Sequence, residues 1–127
     1  MHLALYAPGL GYYSAGLQKF GKAGDFVTAP EISPLFGQCL AHRCIPVLSQ
    51  YAGNADILEF GAGSGQLAID ILRTLEAQSQ LPKHYYILEV SADLKQRQQS
   101  RIQKVIPHLA KQVIWLDRLP ENPIQGV

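Results

Sequence analysis

The chain has 127 residues, 47% of them hydrophobic and only 17% charged, with a formal net charge of +1. That length suits one domain with a core and excludes two full domains. The near-neutral balance excludes a strongly basic nucleic-acid binder and a disordered acidic chain. A charged share below the roughly 25% of an average soluble domain leaves an apolar excess to be accounted for.

Residues 1–30 are turn-rich, with Gly9, Gly11, Gly16, Gly21 and Gly24 interleaved with Tyr6, Tyr12, Tyr13, Phe20 and Phe26. Glycines among aromatics predict an ordered loop packed on the rest of the chain. Ser33–Pro34 then reads as an N-cap followed by a proline at the first helical position. The helix it starts is expected to reach about Tyr51, kinked or divided at Pro46 and stopped by Ala52-Gly53-Asn54. Residues 55–60 (ADILEF), short, apolar and followed by glycines, predict a strand. Residues 66–78 predict a helix with Leu67, Ala68, Ile71, Leu72 and Leu75 on one face. Residues 84–90 (HYYILEV) form a second strand. Ser91 caps a helix over 92–104, with Asp93 placed favourably in its first turn and Leu94, Gln98, Arg101, Ile102 and Val105 on the inner and flanking rows. Residues 112–116 (QVIWL) form a third strand, 117–123 a loop, and 124–127 the opening of a fourth strand. Strands alternating with helices imply an α/β fold with a parallel sheet, its strands buried on both faces.

Cys39 and Cys44 lie in a predicted helix at a spacing that does not place them face to face, so buried free thiols are expected rather than a disulfide. They and the four scattered histidines make no metal-ligand pattern, so no metal site is expected. No apolar run reaches the length of a membrane span, and no signal peptide is visible, which predicts a soluble protein without membrane insertion. Residues 83–111 carry a local charge of +4. A solvated helix face bearing Lys95, Arg97, Arg101 and Lys104 accounts for it better than a nucleic-acid surface.

The central motif is Glu59-Phe60-Gly61-Ala62-Gly63-Ser64-Gly65, between the first strand and the next helix. Glycines there let backbone approach a ligand, and helix-start amides then face it. Neither a dinucleotide GxGxxG pattern nor a P-loop fits, because position 66 is Gln and no Gly-Lys-Ser/Thr follows. An acid, then GxGxG, resembles motif I of class I S-adenosylmethionine methyltransferases. Glu59 suits the cofactor's cationic groups, and backbone amides suit its carboxylate. Glu89, 24 residues after Gly65, is placed to accept from two ribose hydroxyls. It serves NAD and S-adenosylmethionine equally. In Trp115-Leu116-Asp117, an apolar residue can cover an adenine and Asp117 can accept from its amine. Trp115 fits the core as well as it fits that cover.

LYAPGLGYYS, then GDFVTAPEISPLFG (24–37), ILEFGAGSGQLA and YYILEVSADLKQRQ together resemble the MidA-type methyltransferase family, over essentially the whole chain. The family includes a mitochondrial protein-arginine methyltransferase that assists respiratory complex I assembly. The resemblance implies a Rossmann-like class I methyltransferase fold, with Gly61, Gly63, Gly65 and Glu89 holding S-adenosyl-L-methionine; Glu59, Leu116 and Asp117 complete the expected cofactor-binding set. It places the 24–37 block at the cofactor or substrate mouth, where Asp25 and Glu31 are candidate catalytic acids that could grip a guanidinium. It implies a protein substrate, and a cytoplasmic location for a bacterial source or a mitochondrial one for a eukaryote. Residues 1–32 then form a segment near the site and 33–127 the first half of the cofactor domain. A class I sheet has seven strands against three and a beginning here, so the chain is expected to be an N-terminal fragment, with catalytic residues beyond Val127. An exposed apolar edge beside the third strand is expected with it, open to self-association. The alternatives are a non-catalytic assembly module and an NAD(P)-binding oxidoreductase domain.

Overall fold

The structure, a computed structural model, describes residues 28–127. A short helix α1 (Ala29–Ile32) precedes α2 (Leu35–Gln50). Strand β1 (Ile57–Phe60), α3 (Gln66–Ala77), β2 (Tyr85–Leu88), α4 (Ala92–Val105), a 3₁₀ turn (Ala110–Gln112) and β3 (Val113–Leu116) follow. All three strands are parallel in the order β1-β2-β3, in a register that aligns Ile57 with Tyr85 and Tyr85 with Val113. This is the expected α/β fold with a parallel sheet.

Local chemistry explains the boundaries. Ser33 is extended and its hydroxyl accepts the Leu35 amide at 3.1 Å, but Pro34 rather than Ser33 is the N-cap of α2, so the helix starts one residue later than expected. The four-residue α1 in front of it has no apolar periodicity to announce it. Pro46 does not divide α2, which continues to Gln50 as one element. Ser91 caps α4 as expected, accepting from the Leu94 amide at 3.3 Å. Helices α2 and α3 approach closely at Gly37, where a Cβ would stand 2.5 Å from Asp70 Cβ.

Two expectations need correction. Cys39 is exposed, and only Cys44 is buried, where burial raises its thiol pKa. The sheet is not equally covered on its two faces by the described residues. Aligned residues share a face because side chains alternate along a strand. Ile57, Tyr85, Ile87 and Val113 are buried in one cluster with residues of α2, α3 and α4. Leu58, Tyr86, Leu88, Ile114 and Leu116 on the other face are only half-buried, and Phe60 is exposed. Right-handed crossovers that move in one direction put successive helices on the same face. Strand order also decides where the chain's last residues go. Gly126 bridges in parallel to Asp56, with the Leu58 amide donating to Val127 O at 2.8 Å. The start of a fourth strand therefore adds beside β1, while β3 lies at the opposite edge.

Candidate cofactor site

The site forms at the C-terminal ends of the strands, the usual ligand end of an open parallel sheet. Phe60 ends β1, and the Gly61 amide still donates to Leu88 O at 3.0 Å, so the loop leaves the sheet in a fixed direction. Gly61, Gly63 and Gly65 all adopt positive φ (62°, 54° and 81°). The Gly65 amide donates to Ala62 O at 2.8 Å, closing a tight turn directly onto α3. A side chain at Gly61 would meet nothing within 4 Å, so that backbone is open on its outer side.

A cavity of about 250 Å³ lies over this loop. Its wall joins Glu59, Gly61, Gly63, Ser64 and the first residues of α3 to Thr28 and Glu31. Glu31 reaches the loop directly, its carboxylate accepting from the Ser64 hydroxyl, which in turn accepts the Gln66 amide at 3.3 Å. Glu59 accepts from the buried Tyr85 hydroxyl at 2.9 Å through Oε2. Burial pushes its pKa up to about 7; the Tyr85 bond works against that shift, and the nearby Glu89 charge adds to it. The Tyr85 hydroxyl is itself held well above its ordinary value, first by burial and then by Glu59.

Glu89 sits behind the loop. It is buried, with Oε1 accepting the Ser91 amide at 2.9 Å and Oε2 accepting Gln98 Nε2 at 3.1 Å. Its own amide donates to Leu116 O at 2.9 Å, which sets it beside the end of β3. Leu116 is half-buried and Asp117 exposed just beyond. Of the candidates from sequence, Glu31, Glu59, Gly61 and Gly63 share the cavity. Gly65 is buried beneath it, while Glu89, Leu116 and Asp117 line up at the ends of β2 and β3. Asp25 lies outside the described residues.

Sequence reasoning missed Tyr85 as the partner of Glu59, Ser64 as the contact of Glu31, and Gln98 as the link to Glu89. Gln98 alone had a visible signal, a polar side chain on an inner row four residues from both Leu94 and Ile102. Among the described residues no group of three or more His, Cys, Asp or Glu could hold a metal ion, and no helix is long and apolar enough to cross a membrane.

A parallel α/β sheet with a glycine turn between its first strand and helix, and an acid at the end of the second strand, defines a Rossmann-like nucleoside-cofactor fold. The family follows from comparison with known proteins. The model of a family described as "Putative S-adenosyl-L-methionine-dependent methyltransferase" matches residues 39–127, and the chain belongs to that family. It is 34% identical over 130 residues to the bovine mitochondrial protein arginine methyltransferase NDUFAF7, covering 98% of this chain and 28% of that protein. The zebrafish counterpart is 36% identical over 104 residues, covering 77% and 24%. A crystal structure of a COG1565 superfamily member from Burkholderia thailandensis bound to S-adenosyl-homocysteine superposes with a TM-score of 0.81 at 46% identity, covering 95% of this chain and 32% of that one. The chain thus spans about a quarter of the length of these curated relatives.

Proposed function

We propose that the protein is an S-adenosyl-L-methionine-dependent methyltransferase acting on arginine side chains of a protein substrate. The observation that carries this reading is the cavity in which the open glycine backbone and the carboxylate of Glu59 face the same space. The residues fit the cofactor's chemistry. Glu59 offers an anionic partner to an ammonium or sulfonium, the N-terminus of α3 offers a favourable end to a carboxylate, and Glu89 offers a fixed acceptor to ribose hydroxyls. Leu116 and Asp117, at the end of β3, are suited to give an adenine an apolar contact and an acceptor. When bound, the cofactor supplies an electrophilic methyl group with a built-in leaving group, so the protein's task is positioning. Family membership supports the methyl donor over NAD, which Glu89 alone would serve equally.

Arginine as acceptor is supported by the vertebrate relatives, which are protein arginine methyltransferases, and by Glu31, a carboxylate at the cavity mouth with the bidentate form that a guanidinium pairs with. Glu31 would orient the guanidinium, with its own position held through Ser64. Asp25 remains a second candidate for that role. The mitochondrial relatives support a mitochondrial location for a eukaryotic source, and a cytoplasmic one is proposed for a bacterial source.

Calorimetric titration with S-adenosyl-homocysteine and, separately, with NAD tests the cofactor. Saturable binding of the first without the second is expected, and the reverse would overturn the reading. Transfer of labelled methyl to arginine peptides but not lysine peptides, by the full-length protein, tests the acceptor. Labelling confined to lysine would exclude arginine.

A further inference from the structure

We propose that Gln98 is a positioning residue for the cofactor site, holding the glycine loop, the Glu89 carboxylate and the end of β3 in one geometry through a single side-chain amide. The proposal rests on the cofactor reading given above. Gln98 is fully buried on α4, and every polar atom of its side chain is used. Nε2 donates to Gly63 O at 2.9 Å and to Glu89 Oε2 at 3.1 Å, while Oε1 accepts from Trp115 Nε1 at 2.9 Å.

The amide's orientation is dictated by its partners. An indole nitrogen only donates, whereas the Gly63 carbonyl and the Glu89 carboxylate only accept. A flipped amide would set donor against donor at Trp115 and acceptor against acceptor at the other two contacts. Gln98 therefore has one satisfied state, and that state ties together groups contributed by the β1–α3 loop, the β2–α4 connection and β3. The Ser91 amide holds the other oxygen of Glu89, so the carboxylate is clamped at both ends while lone pairs on each oxygen stay unspent. The loop is held from the same side. A Cβ added at Gly65 would stand 3.6 Å from Gln98 Cγ, so the helix packs against the turn as well as bonding to it.

Such a clamp bears on function because a buried acceptor set in advance loses less on binding than one that must be ordered by the ligand. It also assigns Trp115, the single tryptophan of the chain, to the network rather than to core packing alone.

The test is a double-mutant cycle on the full chain, with S-adenosyl-homocysteine affinity measured by calorimetry and Trp115 emission recorded in parallel. Gln98→Met keeps the length of the side chain and removes all three hydrogen bonds. The expected result is a folded protein, an altered Trp115 emission and affinity lowered by about ten- to a hundredfold, the range for losing bonds to a charged group. Since Gln98 acts through Glu89, the same substitution in a Glu89→Gln background is expected to cost much less. A purely structural role gives additive losses instead. Should Gln98→Met fail to fold, the cycle run with Gln98→Glu, which keeps the acceptor for Trp115, replaces it. Unchanged affinity in a folded Gln98 variant, or strict additivity with Glu89→Gln, overturns the positioning role while leaving the cofactor reading intact. Absence of S-adenosyl-homocysteine binding by the unaltered chain overturns both.

Discussion

The two ends of the sheet carry cavities of similar size and opposite chemistry. At the N-terminal ends of the strands a cavity of about 280 Å³ lies between the end of α2 and the α3–β2 loop, lined by Leu48, Ser49, Ala52 and Gln80 among others. One pair of its polar groups is joined, the Ser49 hydroxyl donating to Gln80 Oε1 at 3.2 Å. Nearby, Asp56 Oδ1 takes both the His84 amide at 3.0 Å and the His84 ring at 3.1 Å, tying the start of β1 to that of β2. At the C-terminal ends the smaller cavity gathers two acids and an open glycine backbone. Void volume does not tell the two ends apart. Convergent polar groups beside an open glycine backbone favour the C-terminal end as the cofactor site we propose.

Backbone strain sharpens that comparison. Both ends contain positive-φ residues, but the C-terminal turn uses glycine alone, whereas the N-terminal end uses Ala52 (φ 49°) and Ser79 (φ 55°) beside Gly53 (φ 85°). The largest expected effect is at Gly65, where φ is 81° and the residue is buried against Gln98. Gly65→Val is expected to cost about 3 kcal/mol of folding stability in a denaturant titration, with loss of S-adenosyl-homocysteine binding, because a β-branched residue resists this conformation. A stable, binding-competent variant would break the claim that the turn is conformationally specified.

Next in size is the pH response of Glu59. Its folded pKa, about 7, lies above the ordinary 4.5, so the folded state keeps this proton where the unfolded state has lost it. Its contribution to stability therefore falls as pH rises from about 4.5 through about 7. Affinity for a cationic ligand at Glu59 runs the other way and rises as the carboxylate forms. Glu59→Gln is expected to flatten both trends, read from thermal melts and calorimetry across that range. A melting profile unchanged by the substitution would remove Glu59 as the titrating group. The smallest effect belongs to the opposite end. Ser79→Gly relieves a left-handed residue on an exposed loop and is expected to gain about 0.5 kcal/mol, since the relief exceeds the added freedom of the unfolded chain only slightly. Binding of S-adenosyl-homocysteine should not change.

Much of the fold was legible because its signals are local. The 3.6-residue period of α3, the serine cap of α4 and the apolar runs of β1 to β3 each lie within a few consecutive residues, and their βαβ order implies a parallel sheet. The glycine turn was legible for the same reason, since position and residue type suffice when only glycine tolerates the backbone required. Glu31 was a candidate from its block alone, but its contact with Ser64 joins residues 33 positions apart. No periodicity carries such a pairing. Nor could the strand count alone show that the fourth strand would start beside β1, or that one sheet face would be buried and the other mostly half-buried.

The sequence by itself determined the family, the α/β class and the residues at the ends of the first two strands. Each is a matter of residue type at a fixed position along the chain. Tertiary structure decided how those residues work together: that Tyr85 raises its hydroxyl to Glu59, that one buried amide joins Gly63, Glu89 and Trp115, and which sheet face holds the core. Those outcomes depend on strand register and helix packing. Both are set by cooperative burial of distant segments, which gives Gln98 three partners that its inner-row position alone does not identify.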